Sequence, residues 1–334
     1  MERPVTAAIL GLGWWGRTIV DTLRGSPALR IVAGFDPAPE AAGFAAEAVF
    51  TMKASYDEIL RDSAIEAVIL CTPHTQHAEQ IARAAEAGKH VFCEKPLCLT
   101  RGEAETAIAA CQRAGVQLGV GHERRFEPPI LELRRLVESG DLGTALQIEA
   151  NFSQDKFLAL PADNWRLSGA EAPAGPMTAT GIHLLDLAVS FLGPAESVLA
   201  NVRQLGSKLV NGDTLAALVA FRGGANALLT AILATPFDGR FAIYGSQGWA
   251  EVRDKAHPER SEGWTLTTAM RGRERTVREF APAPAVRANL EAFAAAVAGG
   301  AAYPVPPEQM LATIAAFEAV VRSSRSRAIE RVEG

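Results

Sequence analysis

Between residues 5 and 121, short continuous apolar runs alternate with stretches whose apolar residues recur at three- and four-residue intervals. The runs at 7–10, 29–35, 48–51, 67–71, 90–93 and 117–120 predict strands, and the stretches at 14–23, 39–46, 55–61, 75–87 and 101–114 predict helices. Strands that are apolar throughout and separated by helices belong to a parallel sheet covered on both faces. Beyond residue 124 the texture changes. A helix over 128–138 is followed by longer segments rich in Thr, Val, Ile and Phe at 145–153, 197–204, 214–222, 226–235, 239–244 and 249–253. Turns such as Asn211-Gly212-Asp213 and Arg222-Gly223-Gly224 join them, which predicts mainly antiparallel neighbours in a large open sheet. Helices are expected at 181–192, 285–298 and 307–323, with prolines at 282, 284, 304, 306 and 307 marking the breaks. The expectation is an α/β domain over 1–123 and an α+β domain over 124–334.

The first apolar run ends at Gly11, and glycines follow at Gly13 and Gly16. This is G-x-G-x-x-G spacing where a buried strand turns into a helix. The first glycine permits a tight turn, the second lets backbone approach a pyrophosphate, and the third lets helix and strand pack closely. The helix opening at Trp14 and Trp15 would aim its free N–H groups at the phosphates. The second strand ends at Asp36, twenty residues past Gly16, the interval at which an acid reaches the adenosine ribose. A carboxylate there repels a 2′-phosphate, and the next basic residue onward is Lys53. NAD is therefore expected over NADP, in a Rossmann domain.

Composition narrows the function class. Hydrophobic residues make up 48% and charged residues 21% of 334 positions, an ordinary globular balance. Lys plus Arg is 33 and Asp plus Glu is 38, a net charge of −5 that leaves no basic footprint for nucleic acid. Apolar stretches fall well short of the roughly 18 residues a membrane span needs. No export leader precedes the first strand, and Cys71, Cys93, Cys98 and Cys111 read as buried free thiols, so a cytoplasmic protein is expected.

In a parallel sheet, ligands bind beyond the carboxyl ends of the strands. There the chain places Thr72-Pro73-His74-Thr75-Gln76-His77, then Glu94-Lys95-Pro96, then Gly121-His122-Glu123-Arg124-Arg125-Phe126. Proline holds the residue before it extended, so Lys95 is aimed. It reads either as a base or hydrogen-bond donor, or as a surface lysine with a packed stem. Glu94 reads as a partner for a ribose hydroxyl or for a neighbouring cation. His122 and Arg125 offer groups to a carboxylate or hydroxyls, with Arg124 turned to solvent or an interface. His74 and His77 have metal-ligand spacing, but no further ligands follow, so no metal is expected. His183 opens a helix with Asp186 one turn on, a pattern that also fits a packed structural histidine.

The glycine loop, Thr72-Pro73 with His77, Glu94-Lys95-Pro96, the 121–126 run, Asn164-Trp165-Arg166, Gly181-Ile182-His183-Leu184-Leu185-Asp186 and Tyr244-Gly245-Ser246-Gln247-Gly248 come in a telling order. Over essentially its whole length the chain resembles the glucose–fructose oxidoreductase / inositol dehydrogenase / rhizopine catabolism (Gfo/Idh/MocA) family. The resemblance implies a nicotinamide-dependent dehydrogenase acting on a sugar, cyclitol or related polyhydroxylated molecule. It implies Lys95 at the reacting hydroxyl and His183 as proton donor or acceptor. Trp165 and Arg166 would lie near the substrate, with Thr180 beside them. Thr72, Pro73, His77 and Glu94 would adjoin the cofactor, and the second sheet would build a homodimer or homotetramer.

One position departs from the family pattern: where many members carry Asp four residues before the histidine, this chain has Ala179. Thr178 or Thr180 would then be the candidates to hydrogen-bond His183. The departure leaves two alternatives beside net oxidation: a non-net-redox reaction such as elimination, glycoside cleavage or decarboxylation, and a non-catalytic NAD- or sugar-binding regulator.

Overall fold

The computed structural model describes residues 3–333. The chain forms two compact units, one running to Glu123 and including Pro284–Met310, the other comprising Arg124–Ala283 and the residues from Leu311 onward.

In the first unit, β1 (Val5–Leu10), β2 (Leu29–Phe35), β3 (Thr51–Met52), β4 (Ala67–Leu70), β5 (His90–Cys93) and β6 (Leu118–Val120) pair in the order β3-β2-β1-β4-β5-β6. All these pairs are parallel. This is the Rossmann order, which reverses between β1 and β4. The helices between the strands are α1 (Trp14–Thr22), α2 (Ala41–Ala48), α3 (Tyr56–Arg61), α4 (His77–Glu86) and α5 (Arg101–Ala114). β1 and β4 are buried at every position, as a sheet covered on both faces requires. The expected strand at 48–51 is only Thr51–Met52, because α2 runs to Ala48 and Val49 closes it in the left-handed region at φ 63°. Cys93, Cys98 and Cys111 are buried, Cys71 is partly so, and all four are free thiols.

The expected second domain needs one correction. Helix α8 (Ala285–Val297) and the segment to Met310 pack with the first unit, not the second. β6 is an edge strand, and its Val120 carbonyl accepts the His122 N–H at 2.8 Å together with two side-chain donors. Asn289 Nδ2 and Tyr303 Oη both donate to it at 2.9 Å. Phe293 stacks edge-on against Phe92 at 5.6 Å. Gly119 makes this possible, since a Cβ there would sit 2.8 Å from both rings.

In the second unit, α6 (Pro128–Glu138), β7 (Ala145–Ser153), α7 (Ile182–Leu192), β8 (Ala195–Arg203), β9 (Thr214–Phe221), β10 (Asn226–Ile232), β11 (Asp238–Gly245), β12 (Gly248–Asp254), β13 (Trp264–Met270), β14 (Thr276–Phe280) and β15 (Glu330–Arg331) follow in sequence. The strands make a nine-stranded sheet ordered β14-β13-β12-β11-β7-β10-β9-β8-β15. β7 and β10 pair in parallel at its centre, and its other pairs are antiparallel. One face is buried and the other open, which gives the alternation seen along β9 and β10. β13 to β15 are additions to the expected strands. Among the described residues no helix is long and apolar enough to cross a membrane.

The glycine loop tests this packing. A Cβ on Gly16 would lie 1.9 Å from the Gly11 carbonyl oxygen, whereas one on Gly13 meets nothing within 4 Å. Gly16→Ala should therefore destabilise the protein by about 1–3 kcal/mol through forced backbone movement. Gly13→Ala should leave the denaturant midpoint nearly unchanged. Equal midpoints for the two variants in chemical unfolding would contradict the close approach.

Candidate active site

At the end of β1 the backbone turns at Gly11, with φ +85°, into α1. The N-cap is Gly13, with no side chain on the first-turn N–H groups. Asp36 braces this turn: Oδ2 accepts from the Leu12 N–H at 2.6 Å and Oδ1 from the Ala38 N–H at 2.8 Å. Trp14 is half exposed, Trp15 lies against it at 5.5 Å, and the Trp15 indole N–H is buried with no acceptor among the described residues. Open space over Gly13, an uncapped nine-residue helix and an acid at the second strand end fit a dinucleotide.

Arg17, in the first helix, is a cation upstream of Asp36. Its Nε donates to the Leu12 carbonyl at 2.9 Å, and its guanidinium stacks over Phe44 at 5.1 Å. Counting basic residues onward from Asp36 overlooks it. Its engagement with backbone and ring leaves the charge argument for NAD standing on Asp36.

Beyond β4, the Thr72 hydroxyl bonds Gln80 Oε1 at 2.6 Å, and Pro73 leads into the turn His74–Gln76. His77 is corrected from a cofactor contact to a scaffold residue. Its ring is fully buried, with Nδ1 2.9 Å from the Pro96 carbonyl and Nε2 3.0 Å from that of Thr72. It thus ties the loop after β4 to the loop after β5. There the Lys95–Pro96 peptide is cis, Lys95 is half-buried, and the Lys95 N–H donates to Glu94 Oε2 at 3.2 Å. Glu94 is buried over Gly121, where a Cβ would be 2.6 Å from both carboxylate oxygens. His122, next along, is also buried.

In the second unit the two arginines differ from expectation. Arg125 is held by Asp186, Nε to Oδ2 and the terminal nitrogen to Oδ1, both at 2.6 Å. Both groups of this pair are buried. Removing one member of such a pair costs about 3–5 kcal/mol, because it strands a charge. Arg124, expected at the surface, is 1% exposed and bound by Asp254 and Glu127. Burial works against its charge, but those carboxylates outweigh burial and raise its pKa.

His183 stands one residue into α7, directly after a π-helical stretch, Met177–Gly181. Such insertions re-aim side chains and are frequent at functional sites. The expected support from threonines is absent: the Thr180 hydroxyl donates to the Phe152 carbonyl at 2.8 Å, and that of Thr178 to the Pro173 carbonyl. Thr180 is buried. Ala179 packs against Leu167, Leu209 and Leu233 with Phe157 and Leu160. Arg166 lies over the Trp165 ring at 4.2 Å. Asn211 Nδ2 steadies their loop, donating to the Arg166 and Ala172 carbonyls at 2.9 Å each.

Phe152 is the hub of this region. His183 lies 6.1 Å from its ring, Phe237 6.1 Å, His257 5.9 Å, and the Arg124 guanidinium 5.2 Å. His257 and Asn211 escape a sequence reading, because each sits alone in a polar turn with no motif around it.

Family models match both halves of the chain: the oxidoreductase family NAD-binding Rossmann fold over residues 5–122, and the GFO/IDH/MocA C-terminal domain over 130–251. The chain belongs to the Gfo/Idh/MocA oxidoreductase family. Within it, the chain is 33% identical over 258 residues to scyllo-inositol 2-dehydrogenase (NAD(+)) of Bacillus subtilis, covering 74% of this chain and 73% of that one. It is 28% identical over 281 residues to D-xylose 1-dehydrogenase (NADP(+)) 2 of Haloferax volcanii, covering 83% and 84%. The solved aldose–aldose oxidoreductase of Caulobacter crescentus, complexed with glycerol, superposes with a TM-score of 0.86 at 26% identity, covering 98% and 100%. This Gfo/Idh/MocA protein is accordingly an oxidoreductase with an NAD(P)-binding Rossmann domain.

Burial, then the cations Lys156 and Arg124, push the His257 pKa down from 6.5 to about 4. The folded ring thus takes its proton at lower pH than the unfolded one, so stability is lost as pH falls from about 6.5 towards about 4. Denaturant unfolding of wild type and His257→Gln across that range should show a shallower decline in the variant. Parallel curves would mean that the ring titrates normally.

Proposed function

We propose that this protein is an NAD-dependent dehydrogenase of neutral polyhydroxylated small molecules, a sugar or cyclitol. The carrying observation is the braced glycine turn, with Asp36 fixed at the second strand end and Lys95 at the end of β5. The names of the inositol and xylose dehydrogenase relatives support the substrate class. A neutral substrate fits the charges of the second unit. Arg124, Arg125 and Lys156 each lie against carboxylates, which lowers their attraction for an acid.

NAD when bound supplies the hydride acceptor. Gly11–Gly16 and the first-turn N–H groups of Trp14 and Trp15 would hold its phosphates and Asp36 its adenosine ribose, with Thr72, Pro73 and Glu94 adjoining it. Lys95 holds the oxygen of the reacting hydroxyl, His183 takes or returns its proton, and Trp165, Arg166 and His122 bind the remaining hydroxyls. The non-redox and regulator readings gain no support from these relatives, which are named dehydrogenases.

Lys95→Ala should lower turnover roughly 10²- to 10⁴-fold, the range for general acid–base help, while calorimetry still registers NAD binding. Unchanged turnover on an inositol or aldose would remove Lys95 from the mechanism. NAD should exceed NADP in kcat/KM by at least about tenfold, given a carboxylate facing the 2′ position. Parity, read at 340 nm, would overturn the preference.

Self-association belongs to the same reading. Leu199, Leu218 and Leu228 stand opposite one another on β8, β9 and β10, each more than 40% exposed on the open sheet face. Such an aligned apolar row suits a second copy of the chain. Wild type should sediment as a dimer or tetramer at micromolar concentration and Leu218→Glu as a smaller species. A monomeric wild type would refute the interface.

A further inference from the structure

Four side chains between the loop after β7 and the loop after β12 meet in one bonded set. Nε2 of His257 lies 2.6 Å from Gln154 Oε1, and Nδ1 lies 3.0 Å from Lys156 Nζ and 3.2 Å from the Glu259 N–H. Lys156 Nζ also bonds Glu259 Oε2 at 2.6 Å. A single protonation state satisfies every contact. With the proton on Nε2, the ring donates to the amide oxygen and accepts at Nδ1 from the ammonium and the backbone. A protonated Nδ1 would face two donors. The low pKa of this ring agrees with that arrangement.

What the set holds is the chain that follows. Gln154 and Lys156 lead directly into Phe157 and Leu160, which pack with Leu167 on Ala179, four residues before His183. That packing is thin, with Phe157 and Leu160 only partly buried. From Asp155 to Gly175 the chain has no strand, only the short turns Lys156–Ala159 and Trp165–Leu167. The His257 set ties the first residues of this loop, and Asn211 ties its far end.

We propose that His257 is a positioning residue: with Gln154, Lys156 and Glu259 it latches the 154–167 loop across the start of the helix that carries His183. The latch keeps Trp165 and Arg166 at the substrate, so His257 acts on substrate affinity without touching the reacting atoms. The kinetic half of this inference rests on the proposed dehydrogenase function; the structural half does not.

Hydrogen exchange on the full-length protein separates the two. In His257→Ala, amides of residues 155–160 should exchange at least tenfold faster, with those of 90–98 and 117–121 unchanged. His257→Asn retains an acceptor for Lys156 and should restore part of the protection, and Lys156→Met should loosen the same segment. Adding Lys156→Met to His257→Ala should add little. With an accepted polyol, KM should rise about tenfold or more in His257→Ala while kcat stays within about threefold. Unchanged exchange at 155–160, or loosening spread over the whole unit and not relieved in His257→Asn, overturns the latch. Faster exchange with unchanged KM overturns the positioning role. Should no polyol be turned over by wild type, the dehydrogenase reading fails while the exchange arm still decides the latch.

Discussion

The first unit depends on a backbone-to-backbone approach that only glycine allows. Gly16 sits so near the Gly11 carbonyl, and Gly11 so near that of Cys71, 2.6 Å from where a Cβ would be, that α1 is pressed against the ends of β1 and β4. This contact fixes where the helix begins. Asp36 then completes the turn by taking the Leu12 N–H, which α1 cannot use. The same carboxylate therefore shapes the loop and sets its charge. A substitution there would alter both, and a change in cofactor preference could not be separated from a change in loop geometry without measuring stability alongside.

The second unit is organised by a different physics, buried charge. Arg124 and Arg125 are neighbours in sequence, yet each is buried against its own carboxylates, one against those of β12 and the N-cap of α6, the other against that of α7. Ion pairs of this kind gain little net stability over apolar packing, but they punish any arrangement that leaves one member alone. They act as registers: α7 is fixed by Asp186 and the end of β12 by Asp254, with Phe152 between them. His183 and His257, both against that ring, inherit their positions from it.

Periodicity carried most of the fold. Uninterrupted apolar runs separated by amphipathic stretches read directly as the parallel sheet, and the spacing from Gly16 to Asp36 as its nucleotide loop. What was not legible depended on contacts distant in sequence. Nothing in 285–310 says that Asn289 and Tyr303 bond Val120, because those bonds span 169 and 183 residues of sequence. β14 has no buried face to produce alternation, so its pattern is that of a charged loop. Among site residues, motifs located Lys95 and His183 but not the partners of the groups around them. Arg125, Thr180 and His77 look available in sequence, and each is taken up by an acceptor that only the fold supplies.

Ala179 gains its meaning from that last point. In the family pattern an aspartate at this position would hold the imidazole of His183 in its charged form. Here the position is enclosed by Leu167, Leu209 and Leu233, with Phe157 and Leu160 against them. A carboxylate placed there would sit against apolar side chains and lose part of its solvation. The alanine and the apolar loop beside it suit each other: a small apolar side chain at 179 packs with Phe157 and Leu160 against the same leucines. On the proposed function, proton handling at His183 then proceeds without a neighbouring charge at position 179.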